Sequence, residues 1–235
     1  MNNYIKRFFL LVIVVLAANI AKAQSGYDYA QYDLGLGLDF NKPYTDAQTI
    51  TGTRSGRLMF NYNASPFVNY IIEVQTGTLR GGDSVLTTSG RQFTNSYTAL
   101  MMRGQLQLGE IIDYSQGGMS NAFKNLYFSS GIGFIYNHIT EINRASVKVP
   151  GFYTPGENNS KQLVIPVRIG YEFKFYNKYG EPGFKIDMGY QNNFVLGDGL
   201  DGFTAGKQKD SYSQLSIGFK FAVGGVATYS KQISN

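Results

Sequence analysis

The sequence predicts an all-β fold, an eight-stranded antiparallel up-and-down β-barrel that spans a membrane. Three observations lead to this prediction. Eight segments alternate apolar residues with small or polar ones, the segments have about the length of a tilted transmembrane strand, and short and long connections take turns between them. The composition agrees, since Tyr (18), Phe (17) and Gly (28) favour pleated, tightly turned structure over a helical bundle.

Residues 1–23 have the pattern of a cleaved secretion signal. Lys6 and Arg7 give the positive start, 8–18 the apolar stretch, and 21–23 the small-x-small cleavage site. A membrane anchor is the alternative, but this stretch is far shorter than the roughly 20 residues that a spanning helix needs. We therefore predict that the mature chain begins at Gln24.

The predicted organisation after the signal is a periplasmic N-terminal segment over 24–31, a barrel over 32–223 and a periplasmic C-terminal tail over 224–235. The chain has no Cys, so lipid anchoring at a cysteine and disulfides are excluded. Three cations of the formal net charge of +5 leave with the signal. The remainder shows no clustered basic stripe, and we expect no nucleic-acid partner.

The first four segments each place an apolar row opposite a small or polar one. The apolar rows occupy alternate positions over 32–40, 58–62, 70–78 and 100–108. Successive side chains of a strand point to opposite faces, whereas a helix would scatter these residues around its circumference. Each segment is therefore predicted to be a strand with one apolar face.

The last four segments continue the pattern over 126–136, 163–175, 184–190 and 215–223. The segment over 163–175 is the clearest, because its apolar row is unbroken and faces Pro166, Arg168, Gly170, Glu172 and Lys174. A soluble β-sandwich would also alternate, but its strands usually have about 5 or 6 residues. The longer segments favour a membrane barrel.

The connections alternate in length as short periplasmic turns and long outer loops do. The short ones are 65–67 and 177–183, and the long ones are 42–56, 81–92, 139–161 and 197–210. The connection over 113–125 is the exception, for which we predict a short helix. Residues 197–202 hold two Asp among glycines but lack the spacing of a calcium loop, so we predict a flexible turn and no metal.

The polar rows determine what the lumen contains if the apolar rows face lipid. Charges removed from bulk water must pair or cost several kcal/mol each, and an eight-stranded barrel is just wide enough for side chains to fill. We therefore predict an ion-pair plug, and a narrow passive pore for small solutes or ions is the alternative. The predicted lumen charges are Asp33, Asp39, Glu73, Arg103, Arg168, Glu172, Lys174, Lys185, Asp187 and Lys220.

Glycine-punctuated strands such as 127–134 (YFSSGIGF) and 217–221 (IGFKF) resemble those of the small OmpA/OmpX-like outer-membrane β-barrel superfamily. The resemblance covers roughly 32–223. It implies eight strands, both termini in the periplasm and, commonly, no enzyme activity, and it carries no functional residue over to this chain. The tail departs from the family pattern, in which many members finish on a terminal aromatic residue.

The function expected from these features is a non-enzymatic, structural or loop-mediated binding role in the cell envelope. We expect outer-membrane lipid and lipopolysaccharide as partners, an extracellular or envelope protein bound through loops 139–161 and 197–210, a monomeric state and no cofactor. A lipid-modifying enzyme is a second alternative, because His138, Thr140 and Glu141 lie together at the outer end of a strand.

Overall fold

The computed structural model describes residues 27–229 except 48, 85, 86, 88, 115–117, 148, 179, 181 and 205–208. The predicted signal, 1–23, lies outside the described residues. So does the end of the predicted tail, 230–235.

Nine strands among the described residues form one sheet. They are β1 (Tyr27–Tyr44), β2 (Ile50–Thr51), β3 (Thr53–Asn63), β4 (Val68–Gly82), β5 (Gln92–Gln107), β6 (Leu126–Asn143), β7 (Asn159–Tyr176), β8 (Pro182–Val195) and β9 (Ser211–Tyr229). The two-residue β2 only pairs with the end of β4. The other eight strands alternate over most of their length between buried and exposed positions, as the period-two pattern requires.

The eight long strands close into a ring. Each pairs antiparallel with its neighbour in the sequence, and β1 pairs with β9 over nearly its whole length to close the barrel. The predicted eight-stranded, antiparallel, up-and-down barrel is therefore confirmed.

The first and last strands are longer than predicted. Tyr27 pairs with Tyr229 and Ala30 with Val226, beyond a register shift between Ala30 and Tyr32. Residues 27–31 and 224–229, which flank the predicted barrel of 32–223, belong to β1 and β9. These segments lack clear apolar alternation, but backbone hydrogen bonds between paired strands do not require it.

The barrel has two different ends. The loop end carries the connections 45–52, 83–91, 144–158 and 196–210. The turn end carries the connections 64–67, 108–125 and 177–181, together with the start of β1 and the end of β9. The predicted short helix is present as α1 (Met119–Phe123), after a 3-10 helix at Leu108–Glu110. No helix among the described residues is long and apolar enough to cross a membrane.

The side chains are distributed inside out. Leu36, Leu38 and Leu58 expose 50%, 61% and 67% of their surface from the middle of the wall, whereas Asp33 and Glu73 are fully buried. A soluble protein would not leave a continuous belt of such residues in water, and acyl chains are the solvent that suits them. The barrel is a transmembrane one, with its polar rows in the lumen.

Candidate functional site

The polar rows meet in the part of the lumen between the middle of the wall and the turn end. The structure brings all ten predicted charged side chains there, each buried, together with an eleventh, Arg57. We call these eleven residues the ionic layer. It holds six cations and five anions, which come from β1, β3, β4, β5, β7, β8 and β9.

Asp187 lies at the centre of the ionic layer. Its carboxylate accepts hydrogen bonds from the Arg168 guanidinium and from the Tyr127 hydroxyl, the latter at 2.8 Å. Lys220 Nζ lies 3.3 Å and Arg57 Nη2 3.6 Å from its oxygens. One carboxylate therefore faces three cations, so that the removal of its charge would affect all three.

The network continues from Asp187 in both directions. Lys220 Nζ also binds Glu172 at 2.7 Å, and on the other side Arg57 donates to Asp39 at 2.6 Å. Lys174 Nζ lies 3.9 Å from the same Glu172 carboxylate. These contacts link charges on opposite walls of the lumen, because Asp39 is on β1 and Glu172 on β7.

Two further pairs flank this chain of contacts. Lys185 Nζ binds Asp33 at 2.7 Å near the turn end, and Arg103 binds Glu73 at 2.6 Å near mid-barrel. Every charge in the ionic layer therefore has an opposite charge within 4.0 Å, as buried charges require.

Two members of this arrangement were missed in the sequence. Arg57 lies two residues before Met59 and therefore continues the inward-facing row of Met59 and Asn61. The apolar row predicted from the sequence starts one residue later, at Leu58. Tyr127 was read only as part of a glycine-punctuated strand. Its hydroxyl accepts a hydrogen bond from Arg168 Nε at 2.7 Å while donating to Asp187.

Two glycines make room for the Tyr127 ring. A Cβ on Gly170 would lie 2.5 Å, and one on Gly189 2.9 Å, from the Tyr127 hydroxyl oxygen. Both distances are shorter than real Cβ contacts. The glycines of β7 and β8 therefore allow a large side chain to cross a narrow lumen.

The turn end is covered by the described parts of the connection between β5 and β6, residues 108–114 and 118–125. Phe67 is fully buried there against Tyr114, with ring centroids 5.4 Å apart. Lys174 Nζ lies 4.8 Å from the Phe67 ring centroid and donates to the Pro66 carbonyl at 2.6 Å. Glu110 accepts hydrogen bonds from the Ser65 hydroxyl and from the Tyr229 hydroxyl at the end of β9. These two bonds attach the cover to the barrel.

The loop end is closed by an apolar cap, residues 198–204. Leu200 and Phe203 are fully buried and belong to a hydrophobic cluster with inward-facing residues of the barrel mouth. Phe203 packs edge-on against Phe93, with ring centroids 6.5 Å apart. The predicted flexible turn over 197–202 is therefore wrong, because the apolar mouth provides a buried site for these two side chains.

Two acids hold the cap in place. Asp210 accepts a hydrogen bond from the Leu200 N–H at 2.9 Å, and Asp201 accepts one from the Phe203 N–H at 2.9 Å. Burial, followed by mutual repulsion, raises the pKa of Asp210, and burial also raises the pKa of Asp201. Within the described part of the chain, no group of three or more His, Cys, Asp or Glu is arranged to hold a metal ion.

The structure does not bring together the three residues of the enzymatic alternative. His138 Nδ1 hydrogen-bonds to Asn159 at 2.6 Å, and Thr140 donates to the Thr94 carbonyl at 3.1 Å. Glu141 instead pairs with Arg80 at 3.1 Å. A nucleophile and its base must be within hydrogen-bond reach, and this set is divided among other partners.

The closed ring, the apolar belt and the enclosed charges together define the architecture. The fold is that of a small outer-membrane β-barrel. This agrees with the resemblance noted in the sequence.

Several solved structures are similar to the chain. Neisserial surface protein A is 10% identical, with 83% of this chain and 98% of that chain covered and a TM-score of 0.48. The attachment invasion locus protein Ail of Yersinia pestis, solved with the heparin analogue sucrose octasulfate, is 12% identical, covered at 82% and 98%, with a TM-score of 0.44. OprG from Pseudomonas aeruginosa is 12% identical, covered at 86% and 100%, with a TM-score of 0.36.

No protein-family model and no curated protein matches the sequence. The similarities to solved structures carry no binding residue and no activity over to this chain.

Proposed function

We propose that the mature chain is a non-enzymatic, monomeric protein of the bacterial outer membrane with a closed lumen and a structural or loop-mediated binding role. Residues 1–23 direct export and are removed. The turn end, with both termini, faces the periplasm, and the loop end faces the exterior. All four connections at the loop end are longer than two of the three at the turn end, 64–67 and 177–181, and this supports the orientation.

The ionic layer is the observation that carries the closed lumen. Its contacts run from wall to wall through Asp39, Arg57, Asp187, Lys220 and Glu172, where a pore would need open space. The cap and the turn-end cover lie on either side of it. A solute would have to break several buried ion pairs to pass.

Lipid is the main partner of the wall, and the closed ring favours a monomer. A ring of eight paired strands has no free strand edge with which to join a second barrel. The exposed apolar rows contact acyl chains, and lipopolysaccharide surrounds the end that faces outward.

A loop-mediated role is supported by the connection over 144–158. A small hairpin forms there, with a bridge between Ala145 and Tyr153 and a hydrogen bond from the Ser146 N–H to the Phe152 carbonyl. Phe152 and Tyr153 expose 52% and 69% of their surface, and Val147 and Val149 are also exposed. Apolar side chains grouped on a projecting loop are typical of a protein-binding surface.

Conductance in planar bilayers tests the closed lumen. We expect the purified, folded protein to insert without opening a steady channel. A double variant, Leu200→Gly with Phe203→Gly, removes the apolar cap but leaves the ionic layer, and we expect it to stay closed as well. A steady current through the unaltered protein would establish the pore instead, and a current through the double variant alone would place the seal in the cap.

A further inference from the structure

A shallow groove lies on the outer wall of the barrel near the loop end. It encloses about 580 Å³ and is lined mainly by Ser96, Thr98, Tyr136, His138, Asn159 and Lys161. All six side chains are exposed and point away from the lumen. We call this feature the rim groove.

The strand register builds the groove as a set of rows across β5, β6 and β7. From the loop end toward mid-barrel, the rows are Ser96–His138–Asn159, Thr98–Tyr136–Lys161 and Leu100–Phe134–Leu163. The first row offers only polar groups, the second mixes a hydroxyl, a ring and an ammonium, and the third is wholly apolar. Between the first row and the third, the outer wall therefore changes from polar, hydrogen-bonding side chains to apolar ones that face lipid. The groove lies at this boundary.

Lys161 gives the groove its charge. Its Nζ lies 4.9 Å from the Phe134 ring centroid and 5.0 Å from that of Tyr136, so the ammonium rests on two aromatic rings. No ion pair joins Lys161 to a carboxylate among the residues that the structure describes. Arg80, nearer the loop end, is by contrast neutralised by Glu141.

We propose that the rim groove binds the phosphorylated headgroup of an outer-leaflet lipid, with the phosphate at Lys161 and the acyl chains along the Leu100–Phe134–Leu163 row. The uncompensated ammonium selects an anion, and the Ser96 and Thr98 hydroxyls supply further donors to phosphate oxygens. The groove opens directly onto the apolar wall, so an amphipathic ligand fits it better than a free anion does. The proposal rests on the proposed function in one respect, that the loop end lies in the outer leaflet.

Native mass spectrometry of the mature protein in a non-ionic detergent tests the site with three probes. These are dilauroyl phosphatidic acid, the uncharged dilauroylglycerol and inorganic phosphate. Lys161→Gln is the principal variant, and Lys42→Gln is the matched control, because Lys42 is an exposed lysine near the loop end of β1. Thr98→Val removes a donor at nearly constant shape, and heat-modifiable gel mobility verifies that every variant is folded.

We expect Lys161→Gln to weaken phosphatidic acid binding about tenfold and Thr98→Val about threefold, since hydrogen bonds to charged groups are the stronger ones. Lys42→Gln should change it less than about twofold. Equal losses for the two lysine variants, or equal binding of dilauroylglycerol, would overturn the proposal. Competition by inorganic phosphate as strong as that of the lipid would replace it with a soluble-anion site. None of these results depends on lumen conductance, so the proposal and the closed lumen fail separately.

Discussion

Replacing Asp187 by Asn is the most informative change to the ionic layer. The amide has nearly the same shape, but it removes the negative charge that faces Arg168, Lys220 and Arg57. Arg57 would keep its ion pair with Asp39, and Lys220 would keep its ion pair with Glu172. Arg168 has no other carboxylate within 4.0 Å among the described residues. An uncompensated, fully buried guanidinium is the result.

Breaking a buried ion pair from one side costs about 3–5 kcal/mol. A small domain has about 5–15 kcal/mol of total stability, so Asp187→Asn should remove a large part of it. Guanidinium titration of the protein folded in lipid vesicles, followed by heat-modifiable gel mobility, measures the change. We expect a lower unfolding midpoint with an unaltered slope.

Glu141→Gln is the control, because it removes a carboxylate from an ion pair at the exposed rim, where both side chains are in contact with solvent. The midpoint of this variant should equal that of the unaltered protein. If Asp187→Asn costs less than about 1 kcal/mol, the charges of the lumen are not paired as described.

The cap and the wall give three further predictions. Phe203→Ala should free the cap, so that protease cleaves within 196–210 while the barrel keeps its gel mobility, because a buried Phe typically contributes about 3–5 kcal/mol. Burial and the nearby Asp201 raise the pKa of Asp210 to about 8. The Asp210 carboxyl therefore stays protonated up to a higher pH when the cap is docked than when the cap is open. Protection of the cap amides from hydrogen exchange, taken relative to the intrinsic exchange rate at each pH, should therefore be greatest at acidic pH and fall as the pH rises toward about 8, and Asp210→Asn should reduce this fall. Gly131→Ala should hinder folding, since its Cβ would lie 1.9 Å from the Met102 carbonyl oxygen, whereas Gly104→Ala, with open space around it, should fold normally.

The barrel was predictable because a strand gives its side chains only two directions. Alternation such as that of Leu34, Leu36 and Leu38 against Asp33 and Asp39 therefore fixes which residues face lipid and which face the lumen. The same argument places the charges inside. It does not give their partners, because Lys220 reaches Glu172 and Asp187 only through the stagger of strands around the closed barrel.

The cap was not predicted because its local composition is that of an exposed turn. Leu200 and Phe203 stand among Gly and Asp residues, which favour turns. The signal was present elsewhere, in the inward positions of Phe93, Tyr97 and Tyr212 near the loop end. These inward-facing apolar side chains would be exposed to water at the mouth of the barrel. Leu200 and Phe203 of the cap cover them.

The most direct test of the account is the environment of Leu36 in a lipid bilayer. The chain has no Cys, so a single Leu36→Cys carries one fluorophore without competing labels. We predict that lipids brominated along their acyl chains quench the fluorescence of the Leu36 probe and that aqueous iodide does not. Ser129 is fully buried in the lumen, so a Ser129→Cys variant should react with a maleimide only after unfolding. Quenching of the Leu36 probe by iodide, together with rapid labelling at Ser129, would contradict a barrel with its apolar rows in lipid and its charges enclosed.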